Sequence, residues 1–347
     1  MDQLSIAFTK SRENRMAYHF VVVKNESEKE KTRHLLESLH LTMDNHVSST
    51  YNLYDDQEMI GTISTHENVI KMIGVVTNRQ GEQLTAILLQ HVIRHFEELQ
   101  INKYFLFTKP ENKHLFMGYP FSLVYETDQL VLFENKLYPI SDHLLALKLT
   151  LKPKHGERAA IVMNCNPMTK GHLYLIETCA KEMNDVIIFL VEENKSVFPF
   201  EVRYQIVKKA TKHLKNVHVL KSTPYIISSA TFPTYFMKEL SDISEAYMNL
   251  DISIFKYYFF PMFELNYRYV GTEPTDLTTE AYNEVMKKII GEKLKVIPRK
   301  SHHDMVISAS IVRKLMQEKK YKDIKPLVPK ATFNFLMSKE GKALFHA

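Results

Sequence analysis

The chain has 347 residues, 45% hydrophobic and 24% charged, which is ordinary for a globular protein and more than one typical domain needs, so two domains are expected. A net charge of +5 with scattered lysines suits an anionic ligand and makes no case for nucleic-acid binding. The two cysteines, Cys165 and Cys179, lack metal-like spacing and fit a reducing compartment. No signal peptide is apparent, and no apolar run approaches the roughly 20 residues of a membrane helix, so a cytoplasmic location is expected.

In chain order, Phe20 to Val23 reads as a strand and Glu26 to Leu41 as an amphipathic helix with Leu35, Leu36 and Leu39 on one face. Met59 to Ser64 and Val69 to Val76 read as two strands joined by a short turn. A polar loop from Asn78 to Gln83 precedes a strong helix over Thr85 to Leu99, then a strand over Lys103 to Thr108. Glu111 to Gly118 reads as a short helix and turn, and Leu123 to Glu126 with Leu130 to Phe133 as a hairpin. This order resembles the acetyl-CoA-dependent N-acetyltransferase (GNAT) fold, with Arg79 to Leu84 aligned to that family's pyrophosphate loop. Gly81 stands, but Gln83 or Leu84 replaces the second small residue that backbone cradling of a pyrophosphate wants. The resemblance therefore implies the α+β fold more than the acetyltransferase activity. The expected division is a domain over 1–135, a basic, breaker-rich linker over 136–157 and a second domain over 158–347.

The second domain opens with an apolar run, Ala159 to Met163, then a polar turn with Asn164, Asn166 and Pro167, then Thr169, Lys170, Gly171 and His172 entering a helix. Strand, tight loop and helix start form a common seat for phosphate, because first-turn N–H groups are unpaired and face the positive end of the helix dipole. A lone histidine here would more often cap the helix or bond within the loop; the full strand–loop–helix order favours the phosphate reading. Further strands at Asp185 to Val191, Val217 to Leu220, Tyr267 to Val270 and Leu294 to Ile297 alternate with helices, which predicts a parallel sheet with ligands beyond the strands' carboxyl ends. Lys195 and Arg203 become triphosphate candidates on that ground, against the alternatives of an exposed loop lysine and a helix-surface arginine. Gly271, closing a predicted strand, joins the nucleotide set.

Ile307 to Arg313, ISASIVR, places Ser308 and Ser310 before an apolar-periodic run with Arg313 one turn in, a second arrangement of cap hydroxyls, free N–H groups and a guanidinium suited to phosphate. TKGH and ISASIVR, in that order, resemble the two signatures of the nucleotidylyltransferases, a Rossmann-like fold. MNCNPMTKGHLYLIE, SSATFPTYF, YVGTEP, IPRK and ISASIVRKL together resemble citrate lyase ligases over residues 159 to 330. Met168 departs from the aromatic residue expected there, and His302-His303-Asp304 precede ISAS at positions where the resemblance sets no firm expectation.

That resemblance implies an acid–thiol ligase. ATP and acetate give acetyl adenylate and pyrophosphate; the thiol of a phosphoribosyl-dephospho-coenzyme-A group on the acyl-carrier subunit of citrate lyase then takes the acetyl group and AMP leaves. His172 and Thr169 are assigned to the phosphates; Arg313, Ser308 and Ser310 to the β- and γ-phosphates, with Lys195 assisting; Asn164, Asn166 and Gly171 line the loop. Mg²⁺ is expected with the triphosphate, its protein ligands unread. The alternative is an adenylyltransferase acting on a phosphorylated cofactor precursor of the phosphopantetheine or nicotinamide mononucleotide type.

Overall fold

The structure is a computed structural model that describes residues 18–44, 46–152, 155–192, 196–221, 223–226, 240–272, 277–298, 301–302 and 305–345. The chain divides into two compact units, Met1–Pro139 with Ile227–Leu250, and Ile140–Ile226 with Asp251–Ala347. Among the described residues no helix is long and apolar enough to cross a membrane.

The first unit contains β1 (Tyr18–Val22), α1 (Glu26–Ser38), β2 (Ser49–Asp55), β3 (Glu58–His66), β4 (Val69–Val75), α2 (Leu84–Glu98), β5 (Phe105–Thr108), α3 (Lys113–Phe116), β6 (Phe121–Glu126) and β7 (Val131–Asn135). Among the described residues its seven strands run in the order β1-β2-β3-β4-β5-β7-β6. All pairings are antiparallel except β4 with β5, which the crossover through α2 makes parallel. Apolar residues of α2 at positions 84, 88, 89, 92 and 96 fall at helical spacing and pack on Leu53, Ile63, Ile70 and Leu106. Helix α1 is tied to the sheet by polar groups: Asn52 Oδ1 accepts from Thr32 Oγ1 and from Thr62 Oγ1, each at 2.9 Å. Strand β2 escapes a periodicity reading because this buried asparagine and Thr50 interrupt its apolar run.

The second unit begins with α4 (Ile140–Leu149), a helix inside the segment read from composition as a linker, anchored by buried Ile140 and Leu144. It continues with β8 (Arg158–Met163), α5 (Lys170–Glu182), β9 (Asp185–Leu190), α6 (Phe200–Thr211) and β10 (Val217–Lys221). Helix α7 (Leu240–Ile254) carries the chain from residues grouped with the first unit into the second; it leads through a π-helical turn, Phe255–Phe259, into α8 (Phe260–Met262). Then come β11 (Tyr267–Gly271), α9 (Leu277–Ile290), β12 (Leu294–Ile297), a small hairpin of β13 (Ser301–His302) and β14 (Met305–Val306), and helices α10 (Ala309–Gln317), α11 (Tyr321–Ile324), α12 (Lys330–Met337) and α13 (Lys339–Ala343).

The second sheet is wholly parallel, in the order β10-β9-β8-β11-β12. One face packs Ile161, Met163, Ile188 and Tyr269 against Ile176 and Cys179 of α5 and Ile206 and Val207 of α6. On the other face, Phe189 meets Phe255, Phe259 and Phe263 edge-to-face, at centroid distances of 5.9, 5.2 and 5.1 Å. The chain winds outward from β8 in one direction to β10 and in the other, through β11, to β12. The reversal opens a crevice beyond the carboxyl ends of β8 and β11, where open parallel sheets bind ligands.

Candidate active site

Strand β8 delivers the chain into that crevice. Its loop turns through Cys165, which is buried and held at φ 54°, a left-handed conformation a non-glycine residue adopts only under tertiary constraint. Thr169, in extended backbone at φ −108° and ψ 169°, is the N-cap of α5. Its hydroxyl accepts from the His172 N–H at 3.4 Å, and its own N–H donates to His172 Nδ1 at 2.9 Å. This is a capping box with histidine in the place usually filled by glutamate or glutamine. An Nδ1 that accepts a backbone N–H carries no proton, so the bond fixes the tautomer with the proton on Nε2. His172 is thereby both part of the helix start and a hydrogen-bond donor at it.

The second signature reaches the same place. Ser308 is the N-cap of α10 and accepts from Ile311 N–H at 3.2 Å. Arg313 Nη1 donates to the carbonyl of Asn166 at 2.5 Å, and Nη2 to Ser310 Oγ at 3.1 Å. A Cβ built on Gly171 would stand 3.5 Å from the Ile307 carbonyl and 3.4 Å from Thr169 Oγ1. Two segments remote in sequence thus form one cluster of two helix starts, one imidazole donor and one guanidinium. Burial lowers the Arg313 pKa, and the guanidinium stays charged because its ordinary value is so high.

The remaining predicted residues divide. Asn164 and Asn166 use their side chains to build the loop: Asn164 is within bonding distance of Ser196 Oγ at 3.2 Å, and Asn166 Oδ1 accepts from Phe198 N–H at 3.2 Å. Arg203 is corrected from a triphosphate candidate to a scaffold residue. It is fully buried; Nη1 donates to the Asn164 carbonyl, Asn164 Oδ1 and the Val191 carbonyl at 2.7–2.8 Å, and Nε to the Phe198 carbonyl at 3.0 Å. Gly271 closes β11 beside β8, its carbonyl accepting from Asn283 Nδ2 at 3.2 Å. Tyr282 Oη bonds to Asp251. Lys195, the SSATFPTYF run, Glu273 and Pro274, Arg299 and Lys300, and His303 and Asp304 lie outside the described residues.

Both thiols are buried and pushed upward by that burial, so Cys165 is a small packed loop residue and no nucleophile. Among the described residues no three His, Cys, Asp or Glu converge as metal ligands. Spacing gave no hint that the C-terminal helices brace this loop: Thr332 Oγ1 donates to the Met168 carbonyl at 2.9 Å, and Lys170 N–H to the Leu327 carbonyl at 2.9 Å. In the first unit, Arg79 of the degraded pyrophosphate loop is held by Glu82 at 2.8 Å and Asp55 at 3.0 Å, and Gln83 stands in left-handed backbone at φ 58°. Its cation is already neutralised by carboxylates, unlike one that serves a pyrophosphate.

A family model described as the citrate lyase ligase C-terminal domain matches residues 158–336. The chain is similar to the citrate (pro-3S)-lyase ligase of Escherichia coli, 34% identical over 90% of this chain and 92% of the relative. A phosphopantetheine adenylyltransferase of Clostridium botulinum is 27% identical over 35% of this chain and 79% of its own. Among solved structures, Thermotoga maritima TmcAL bound with alpha-thio ATP aligns with a TM-score of 0.36 and 13% identity, over 52% of this chain and 55% of that one.

Proposed function

The chain belongs to the citrate lyase ligase family, and from that premise we propose that it activates citrate lyase by ATP-dependent acetylation of the thiol prosthetic group on the lyase's acyl-carrier subunit. In the first step an acetate oxygen attacks the α-phosphorus of ATP; the O–P bond forms as the bond to the bridging oxygen breaks, giving acetyl adenylate and pyrophosphate. In the second the carrier thiolate attacks the acyl carbon, a thioester forms and AMP departs. Acetate is already anionic near neutral pH, so the first step needs no general base. It needs positioning and stabilisation of charge on the phosphates.

The observation that carries this reading is the bond from Arg313 to the Asn166 carbonyl, which brings both signatures to one crevice. In the proposal, His172 Nε2–H donates to the α-phosphate as charge builds there, and Thr169 holds the ring in that tautomer. The Gly171 N–H at the start of α5 and the Ala309 and Ser310 N–H groups at the start of α10, with the Ser308 and Ser310 hydroxyls and Arg313, take the β- and γ-phosphates, and Lys195 assists. Gly171 and Gly271 leave room for the nucleotide, and Asn164 and Asn166 keep the loop in shape. A divalent ion, Mg²⁺ by this reading, would be held chiefly by the phosphate oxygens it shields. The prosthetic group is taken as phosphoribosyl-dephospho-coenzyme A and the compartment as the cytoplasm. The alternative, an adenylyltransferase for a phosphopantetheine-type acceptor, draws on a match spanning 35% of the chain against 90% for the ligase.

The deciding experiment is mass spectrometry of purified citrate lyase carrier subunit after incubation with ATP, acetate and this protein. A gain of one acetyl group, absent with His172→Ala although that variant folds, is expected. Near-normal acetylation by His172→Ala sinks the role of the imidazole. Pyrophosphate release with phosphopantetheine and none with acetate establishes the alternative.

A further inference from the structure

Three arginines are buried among the described residues of the second unit: Arg158, Arg203 and Arg268. Two are fully engaged. Arg158 pairs with Asp185 at 2.9 Å and donates to the Phe263 carbonyl at 2.7 Å, and Arg203 serves the loop oxygens given above. Arg268 differs. It is 3% exposed, yet its Nε and Nη1 find no acceptor among the described residues. Its partner is an aromatic face, with the guanidinium carbon 4.3 Å from the centroid of Phe255. A ring quadrupole attracts a cation but accepts no N–H···O bond, and a desolvated guanidinium with idle donors is unfavourable. Such a site calls for an anion.

The fold says where that anion would sit. Tyr269 packs with α5 and α6, so its neighbour Arg268 faces the opposite side of the sheet. Arg268 pairs in register with Ala160 of β8. The π-turn and α8 run against the strand direction: the Phe263 carbonyl is fixed at the start of β8 by Arg158, and Phe255 lies eight residues earlier. At helical rise that places Phe255 roughly 10 Å toward the carboxyl ends of the strands. The guanidinium over Phe255 therefore leans up β11 toward the crevice between β8 and β11, on whose other side stand Thr169 and His172.

We propose that Arg268 anchors the carboxylate of the acyl donor, a short-chain monocarboxylate. The inference rests on the ligase reading above. A planar guanidinium matches a carboxylate with two parallel N–H···O bonds, which fixes the direction of the nucleophilic oxygen as a lysine's single ammonium would not. The aromatic floor has no donor for a larger polar acid. The chemistry is unchanged: Arg268 presents an acetate oxygen to the α-phosphorus, and pyrophosphate carries off the electrons of the broken bond.

The test uses full-length chain. Acetate-dependent exchange of labelled pyrophosphate into ATP gives the KM for acetate, and calorimetry with a non-hydrolysable ATP analogue gives the nucleotide Kd. Arg268→Gln is expected to raise the acetate KM about 30-fold or more, the loss of a charge-assisted bidentate contact, with the nucleotide Kd within about threefold of the parent. Arg268→Lys should fall between. Melting gives a second readout: acetate should raise the parent's Tm and leave that of Arg268→Met unmoved, while Arg268→Met without acetate melts no lower than the parent. An unchanged acetate KM in Arg268→Gln overturns the proposal, as does a lowered Tm in Arg268→Met or failure of all three variants to fold. A parent without acetate-dependent exchange whose Tm still rises with acetate would refute the ligase reading while leaving this site standing.

Discussion

Arg203 offers a sharp test of the distinction between holding the loop and holding the ligand. In Arg203→Met the side chain keeps much of its length and loses every donor. The two N–H groups of Nη1 serve three oxygens at 2.7–2.8 Å, and Nε serves a fourth at 3.0 Å. The four contacts are not independent, because one N–H is shared. Bonds from a charged donor contribute about 1.5–3 kcal/mol each, and buried carbonyls left without partners add a penalty, so a loss of about 3–5 kcal/mol is expected. That is about a fifth or more of the stability of an ordinary domain. With an m-value near 2 kcal/mol/M in urea, the second unit's midpoint should drop by about 2 M. Urea titration followed by circular dichroism measures this, with the ATP-analogue Kd taken in parallel on folded protein. A variant as stable as the parent that has lost nucleotide affinity would refute the scaffold assignment and restore the arginine to the phosphates.

Other expectations follow from the same geometry. Arg313→Ala should weaken ATP handling by about 10- to 100-fold in KM, since it removes a charged fork and frees the Asn166 carbonyl; unchanged ATP kinetics would argue against any phosphate role. Burial, with the nearby charges of His95 and Arg94, pushes His91 down to about 4, and its ring stacks on Phe20 at 3.7 Å. Because the folded value lies below the ordinary one near 6.5, the unfolded chain binds more protons between these limits. The contribution of His91 is therefore complete above about pH 6.5 and is lost as pH falls toward 4. Allowing for partial water access it amounts to about 2 kcal/mol. Urea midpoints at pH 7 and pH 5 should differ for the parent and converge in His91→Phe; equal pH sensitivity in both would contradict the assignment. Cys165 and Cys179 should resist iodoacetamide at pH 8 in the native chain, and fast labelling of either would show the packing around α5 to be wrong.

What was legible in the chain was what local physics decides. Ala159 to Met163 is a strand because a continuous apolar run is buried on both faces, and α5 and α10 begin where Thr169 and Ser308 can cap them. What stayed hidden depends on encounters between distant segments. Arg203 looked like any helix-surface arginine, because only the folded return of residues 164, 191 and 198 supplies its acceptors. The bonds that Asn164 and Asn166 make to Ser196 and Phe198 stayed hidden for the same reason. Arg268 sits in an ordinary strand, YRYVG, and no spacing rule separates a solvated strand arginine from one enclosed by phenylalanines. Helix α4 was masked by the prolines on either side of it, Pro139 and Pro153, whose breaker signal outweighed a modest apolar face.

The reciprocal bonds between Thr169 and His172 carry an implication for control. Of the two hydrogen bonds that start α5, the one from the Thr169 N–H also decides which ring nitrogen holds the proton, so the proposed nucleotide site has no foundation separate from the helix end. Fraying of a single turn, a far smaller event than unfolding, would release the ring to either tautomer and disarm it. Anything that tightens that turn, including a phosphate bound at the Gly171 N–H, would in the same motion prepare the proposed donor.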